Sequence, residues 1–223
     1  LDTRTQRTEP LAAGSRVPFR GQPNGLAVVS LVATQSLRRG YLQALPCNEP
    51  AGRYSTLNVD RDGQTIANLA IVQLDGSGEA CVYTHGGAHV VVDVQGYLQP
   101  GAFTPETRRL RDTRTLTPAV PLAATARIAV AGGRSAGLAI MSLIATETTQ
   151  RGYVQALPCG DTAGSWSNLN SDRARQTIAN LAVVQLDGNG GMCLYTHGGG
   201  HLVADLQGYL DPSVFTPINK RIL

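Results

Sequence analysis

Gln64-Thr-Ile-Ala-Asn-Leu-Ala70 recurs as Gln176-Thr-Ile-Ala-Asn-Leu-Ala182, and this internal repeat decides how the fold is organised. The same displacement of 112 residues relates Gly40-Tyr-Leu-Gln-Ala-Leu-Pro-Cys47 to Gly152-Tyr-Val-Gln-Ala-Leu-Pro-Cys159. Self-similarity at a fixed period is typical of a chain built from structural repeats. The sequence therefore predicts two homologous modules in tandem.

The repeat also sets the domain boundaries that we predict for the 223 residues. Residues 1–98 form the first copy and residues 111–210 form the second, with residues 99–110 as a linker between them. Residues 211–223 are equivalent to the linker, so we expect them to dock on a neighbouring subunit or module. Two modules of this size agree with the usual size of a domain, roughly 100–200 residues.

Each copy has the sequence pattern of β structure. The apolar runs 26–34 and 66–74 are short, rich in β-branched residues and bounded by turn residues. Asp75-Gly-Ser-Gly78 and Asp187-Gly-Asn-Gly190 offer the glycines that tight turns require. We find no stretch with helical periodicity. The prediction is an all-β protein of two β-sandwich or barrel-like modules, each with one disulfide.

The four cysteines have three pairings open to them. The repeat favours Cys47 with Cys81 and Cys159 with Cys193, because each copy should be able to cross-link itself. Persistent disulfides indicate an oxidising compartment. A zinc site is the weaker interpretation, since no Cys-x-x-Cys spacing is present.

All four histidines fall on either side of a glycine-rich turn, as His85 and His89 and again as His197 and His201. If residues 86–88 form a hairpin turn, the two side chains of a copy face each other as a polar cross-strand pair. A metal is a weak alternative because the local sequence lacks a third ligand. A pH-sensitive contact between subunits is the remaining interpretation.

The sequence gives no reason to propose a reaction or a cofactor. The carboxylates shared by both copies do not form a pair like that of a glycosidase, and no Gly-x-Ser-x-Gly elbow or phosphate-binding glycine loop is present. The formal charge of +3 is too small to indicate nucleic acid as a partner. The apolar run 26–33 is too short to span a membrane, which takes about 20 residues.

Several motifs resemble a tandem β repeat of secreted and cell-surface actinobacterial proteins. They are Leu1-Asp-Thr-Arg4, Ser167-Asn-Leu-Asn170, Gln176-Thr-Ile-Ala-Asn180 and Val203-Ala-Asp-Leu-Gln-Gly-Tyr209. The resemblance implies an extracellular or cell-surface location, often beside domains that act on the cell wall, and it implies no activity. The paired histidines depart from that family's pattern, which has small polar residues there.

The segment between the copies recurs in two halves at the ends of the chain. Phe215-Thr-Pro-Ile-Asn-Lys-Arg-Ile-Leu223 repeats its first half and Leu1-Asp-Thr-Arg4 its second. Two explanations are a piece of a longer array and separate subunits stacked head to tail; an ordinary two-domain protein with a short free tail is a third. The candidate subunit junction comprises Leu1, Asp2, Arg4, Arg221, Ile222 and Leu223.

These observations favour a non-catalytic structural or adhesive protein that associates with itself or with adjacent repeats into a filament, stalk or sheath. The alternative is a carbohydrate-binding module for cell-wall glycan, with Tyr54 and Trp166 as the contact residues, because an aromatic ring on a loop can receive a sugar face. A third hypothesis is that the modules only anchor or space a catalytic domain outside this sequence.

Overall fold

The computed structural model describes residues 1–134, 137–164 and 166–218, and it confirms an all-β fold. The chain divides into two compact units, Leu1–Gln99 and Pro100–Leu223. Within the described residues, helical structure is limited to two 3-10 turns, Thr3–Thr5 and Thr113–Thr115. No helix in that part of the chain has the length and apolar character needed to cross a membrane.

The first unit contains seven strands in two antiparallel sheets. One sheet has the order β1-β6-β3-β4 and the other has the order β5-β2-β7. The strands are β1 (Arg16–Arg20), β2 (Leu26–Thr34), β3 (Gly40–Leu45), β4 (Leu57–Val59), β5 (Ile66–Gln73), β6 (Glu79–Thr84) and β7 (His89–Leu98).

Alternation of side chains explains how the two sheets of the first unit pack. Along β2, every second side chain, beginning with Ala27, is buried completely while those between are partly exposed. Leu31 of β2, Leu42 of β3 and Val82 of β6 belong to one apolar cluster that draws on both sheets. The first unit is therefore a β-sandwich with its core between the sheets.

The second unit has eight strands in the part of it that the structure describes, and it repeats this sandwich. Its sheets have the orders β9-β14-β11-β12 and β13-β10-β15-β8. The strands are β8 (Phe103–Asp112), β9 (Arg127–Ala131), β10 (Leu138–Thr146), β11 (Gly152–Leu157), β12 (Leu169–Ser171), β13 (Ile178–Gln185), β14 (Gly191–Thr196) and β15 (His201–Leu210).

Strand β8 has no counterpart among the strands of the first unit. It comes from the segment that the sequence assigns to a linker, residues 99–110, and it pairs antiparallel with β15 along the outer edge of the sheet. The register places Phe103 opposite Leu210 and Arg109 opposite Asp205. The segment is therefore an integral strand of the second sandwich.

Both disulfides form as the repeat predicts. Cys47 pairs with Cys81 and Cys159 with Cys193, each across 34 residues with the Cα atoms 4.9 Å apart. Each bond ties the segment after β3 or β11 to the adjacent strand of the same sheet. A cross-link of this loop length contributes about 3–4 kcal/mol in the chain-entropy model.

Candidate functional sites

The histidines of a copy do not face each other, so the predicted cross-strand pair is wrong. Strands β6 and β7 lie in different sheets, and residues 86–88 carry the chain from one layer to the other. His89 is consequently buried, with 1% of its surface exposed, while His85 stays exposed. Within the described residues, no three His, Cys, Asp or Glu side chains are grouped so as to hold a metal ion.

His89 instead holds the segment at the start of the first unit against the sheet. Its Nε2 lies 3.2 Å from the carbonyl oxygen of Thr8, which can only accept, so Nε2 donates. In the neutral imidazole Nδ1 is then the acceptor, and it receives the hydroxyl of Thr3 at 3.1 Å. Thr3 Oγ1 also accepts from the backbone N–H of Val90 at 2.9 Å.

The second unit repeats this arrangement. His201 Nδ1 lies 3.0 Å from Thr113 Oγ1, which accepts from the N–H of Leu202 at 2.9 Å. The Thr of each Asp-Thr-Arg motif is thus a buried hydrogen-bonding residue that sequence reasoning missed. The only signal was its place between the two charged residues of the motif.

The Asp and Arg of the motif form ion pairs in both copies. Arg4 Nη2 lies 2.6 Å from an Asp2 carboxylate oxygen, and Arg114 lies at the same distance from Asp112. The hydrogen bond from Arg4 lowers the pKa of Asp2 from 3.8 to about 2. The bond from Arg114 lowers the pKa of Asp112 as well, although partial burial opposes the change.

A further arginine completes this cluster in the second unit. Arg109 of β8 donates to both carboxylate oxygens of Asp205, at 2.8 and 3.0 Å, and also to Asp112 at 3.1 Å. Asp205 is only 2% exposed, and the guanidinium of Arg109 compensates the charge of this buried carboxylate. The equivalent aspartate of the first unit, Asp93, is exposed and forms no ion pair within the described residues, although its charge helps to raise the pKa of Arg4.

The outer edges of β7 and β15 differ along most of their length. At the outer edge of β7, the backbone contacts from the described residues are those of Leu1 with Val92 and the isolated bridge of Asp2 with Val91, whereas β15 is covered by the whole of β8. Val94 on β7 is 41% exposed, and its equivalent on β15, Leu206, is fully buried. Tyr97 is 36% exposed, whereas Tyr209 is 3% exposed.

Two equivalent glycines mark the same difference. A Cβ atom at Gly208 would overlap the Phe103 ring and the Thr104 carbonyl oxygen. A Cβ atom at Gly96 would meet nothing within 4 Å. The place that the Phe103 ring fills above β15 is therefore vacant above β7.

The residues of the predicted subunit junction lie at this open edge or beyond the described chain. The amino group of Leu1 donates to the carbonyl oxygen of Val92 at 3.0 Å, next to Asp2 at the edge of β7. Arg221, Ile222 and Leu223 lie outside the described residues. Just before them, Phe215 is 39% exposed and Ile218 is 68% exposed.

The predicted glycan contacts, Tyr54 and Trp166, are both half-buried. The Tyr54 hydroxyl donates to the carbonyl oxygen of Ala44 at 3.2 Å, and burial raises the pKa of the phenol. Its hydroxyl is thus already engaged within the module. Sugar binding through Tyr54 and Trp166 stays a prediction.

A different set of aromatic rings lies at the surface in both units. Tyr41 stacks on His85 with ring centroids 4.9 Å apart, and Tyr153 stacks on His197 at 5.0 Å. Desolvation and the neighbouring Tyr195 raise the pKa of Tyr153, so its phenol stays protonated at neutral pH. In the second unit this pair borders a cavity of ≈ 610 Å³.

Comparison with known proteins adds little to this description. No family model and no curated protein matches the chain. The solved structure titled "Crystal Structure of the STIV MCP" is similar over 93% of this chain and 95% of that one, at 9% identity and a TM-score of 0.36. A likeness this weak carries no argument about fold or function.

Proposed function

We propose that the protein is a non-catalytic structural repeat protein of the extracellular space or cell surface, and that its copies associate head to tail into a filament. The observation that carries the proposal is the difference between two equivalent strands: the outer edge of β7 is open, whereas that of β15 is covered by β8. The two disulfides support an oxidising location. The motifs shared with secreted actinobacterial repeats support the same location.

An open strand edge offers unpaired N–H and C=O groups to a further strand. Along β7 these unpaired backbone groups run from Asp93 to Leu98, where the side chains are exposed or partly exposed. The matching stretch of β15, from Asp205 to Leu210, is buried at every position except Gln207, because β8 lies beside it. An added strand would therefore remove apolar surface from water and satisfy backbone groups at once.

The occupant that we assign to this edge is the segment 215–223 of a second copy. It repeats β8 in order, with Phe215-Thr-Pro in the place of Phe103-Thr-Pro. Arg221 corresponds to Arg109 and Ile222 to Leu110, which packs against the core of the second unit. Strand β8 covers β15 with these residue types. The segment 215–223 contains the same types in the same order, so its composition is suited to covering β7.

The contacts expected of the added strand follow from those of β8. The Phe215 ring would take the vacant place above Gly96, as Phe103 covers Gly208. Arg221 would bridge Asp93 and Asp2, as Arg109 bridges Asp205 and Asp112. Such an interface is heterologous, because the end of one copy meets the beginning of the next, and it generates open fibres when the rotation does not close.

Charge reversal at this contact tests the proposal on the 223-residue chain. We expect the wild type to form a concentration-dependent series of oligomers in sedimentation velocity, and filaments in electron micrographs. Arg221→Asp and Asp93→Arg should each weaken association by about tenfold or more, because one charge of the pair then faces a like charge. The double variant should recover most of the association.

Arg53→Asp, at an exposed arginine far along the sequence from the junction, is the matched control and should leave association unchanged. A wild-type chain that remains a monomer at high concentration would overturn the proposal. Oligomers that persist in both single variants would retain self-association but exclude this strand contact.

A further inference from the structure

The stacked pair of Tyr153 and His197 is a surface aromatic feature of the second unit that lies outside the strand contact proposed above. Tyr153 lies on β11, and His197 directly follows β14, the neighbouring strand. The rings are nearly parallel, with an interplanar angle of 13°, and Tyr195 packs against Tyr153 at 5.9 Å. His197 is exposed and both tyrosines are partly exposed.

Two glycines make this stacking feasible. A Cβ atom at Gly152 would lie 2.5 Å from the backbone nitrogen of Gly198, and a Cβ atom at Gly198 would lie 2.9 Å from the carbonyl oxygen of Arg151. The two backbones therefore approach each other more closely than side chains allow. This approach brings the imidazole that precedes Gly198 to the phenol that follows Gly152.

Three polar residues also line the cavity beside the stacked pair, and we call them its polar rim. Arg151, Asn170 and Asp172 line it together with the two rings, and all three side chains are exposed. The guanidinium supplies donors, the carboxylate supplies acceptors and the amide supplies both. Among the described residues, no hydrogen bond or ion pair engages these three side chains. Its volume of ≈ 610 Å³ is in the range of small-molecule sites.

We propose that this cavity binds a pyranose unit of a glycan. A pyranose has apolar C–H groups on its faces and hydroxyl groups around its rim, and the cavity is lined by two aromatic rings together with hydrogen-bond donors and acceptors. Asp172 disfavours an anionic ligand such as a phosphate, and the charged rim disfavours a purely apolar one. The site is separate from the loop residues Tyr54 and Trp166, and it does not depend on head-to-tail assembly.

The first unit contains the same residue types but uses them internally. Asp60, the equivalent of Asp172, has 2% of its side chain exposed and lies 3.9 Å from Arg39. Asn58, the equivalent of Asn170, accepts a hydrogen bond from Ser55 at 2.9 Å. The stacked rings of Tyr41 and His85 remain, without free polar groups of the same kind. We therefore assign binding to the second unit and use the first as an internal control.

Saturation-transfer difference NMR with soluble hexasaccharides tests this assignment and works whether or not the chain assembles. The probes are maltohexaose, cellohexaose and the hexamer of β-1,4-linked N-acetylglucosamine. At least one should receive saturation on its ring protons. Tyr153→Ala and Asp172→Ala should each weaken that binding by about tenfold or more, whereas Tyr41→Ala should leave it unchanged.

Asp172 is exposed, so its substitution keeps the test valid if Tyr153→Ala unfolds the module. Failure of all three oligosaccharides to receive saturation would overturn the proposal. Equal losses from Tyr41→Ala and Tyr153→Ala would show that the polar rim does not select the second unit, and would overturn the assignment as made. None of these outcomes alters the test of head-to-tail association.

Discussion

Strands β7 and β15 have nearly the same sequence, yet one is exposed along its outer edge and the other is buried. Val92-Asp-Val-Gln-Gly-Tyr-Leu98 and Ala204-Asp-Leu-Gln-Gly-Tyr-Leu210 differ at only two positions. The difference in burial therefore comes from the neighbour, because β8 covers β15, whereas among the described residues Leu1, Asp2 and Thr3 reach the outer edge of β7 at residues 90–92 only. A copy of the repeat can therefore be complete in sequence while one of its sheets lacks an edge strand, as the three-stranded sheet of the first unit does.

The largest effect that separates the two edges should come from the equivalent glycines. Gly208→Ala places a methyl group against the Phe103 ring at a φ of 153°, which should destabilise the second unit by about 4 kcal/mol from strain and overlap together. Gly96→Ala meets open space and should change stability by no more than about 0.5 kcal/mol. Urea unfolding of both variants measures the contrast.

The same pair sharpens the assembly proposal. Gly96→Ala should weaken association while stability stays unchanged, because the methyl group occupies the place assigned to Phe215. Equal destabilisation by the two substitutions would mean that β8 does not distinguish the edges.

A smaller effect is expected from the arginine that β8 contributes. Arg109→Ala leaves Asp205 buried without its guanidinium partner and should destabilise the second unit by about 2–3 kcal/mol. Asp93→Ala removes an exposed carboxylate that interacts with Arg4 through its charge alone, so the first unit should lose less than about 0.5 kcal/mol. Chemical denaturation at neutral pH gives both values.

Arg109→Ala combined with Asp205→Ala is the control for this prediction. The double variant should recover part of the loss, since no buried charge is then uncompensated. A loss as large in the double variant as in the single one would assign the effect to packing of the arginine side chain.

The smallest effect concerns protonation of the two Asp-Thr-Arg motifs. The pKa of Asp2 is lowered to about 2, so the stability that this ion pair contributes is present above pH about 4 and is lost as the pH falls towards 2. Arg4→Ala should return the pKa of Asp2 towards 3.8, since Arg4 is the main cause of the shift. NMR titration of the carboxyl carbons measures each group directly.

The second unit retains another arginine beside its carboxylate after the equivalent substitution. Arg114→Ala should raise the pKa of Asp112, because the side-chain bond from Arg114 is the main cause of its lowering, while Arg109, 3.1 Å away, still acts against the effect of burial. If Arg109→Ala added to this variant leaves the pKa of Asp112 unchanged, Arg109 has no electrostatic influence at this site.

The sequence predicted the parts of the fold that depend on local pattern. The apolar runs 26–34 and 66–74 contain β2 and β5, and the spacing of the cysteines within the repeat gave both disulfides. Alternation and repetition are properties of single segments, so they can be recognised without knowing which segments pair. The fold class was accessible for that reason.

Sheet membership could not be predicted in the same way. A glycine turn such as residues 86–88 can close a hairpin or cross between two layers, and the local sequence is compatible with both. The crossing separates His85 from His89 and buries the second of them beside Thr3. Residues 99–110 were assigned to a linker because they join the two copies of the repeat, and the repeat alone does not show that they pair with β15 as an edge strand.

The folded module and the sequence repeat begin at different residues, and this offset affects how a chain of this kind could gain further modules. A complete second sandwich runs from Phe103 to Leu210, so its frame is shifted relative to the repeat that begins with Asp-Thr-Arg. Gene duplication or unequal recombination that inserts one 112-residue period would carry one β8-type strand with it, wherever the breakpoints fall. Each inserted module would then include a strand that covers one sheet edge. The number of modules could change without a new type of connection between them.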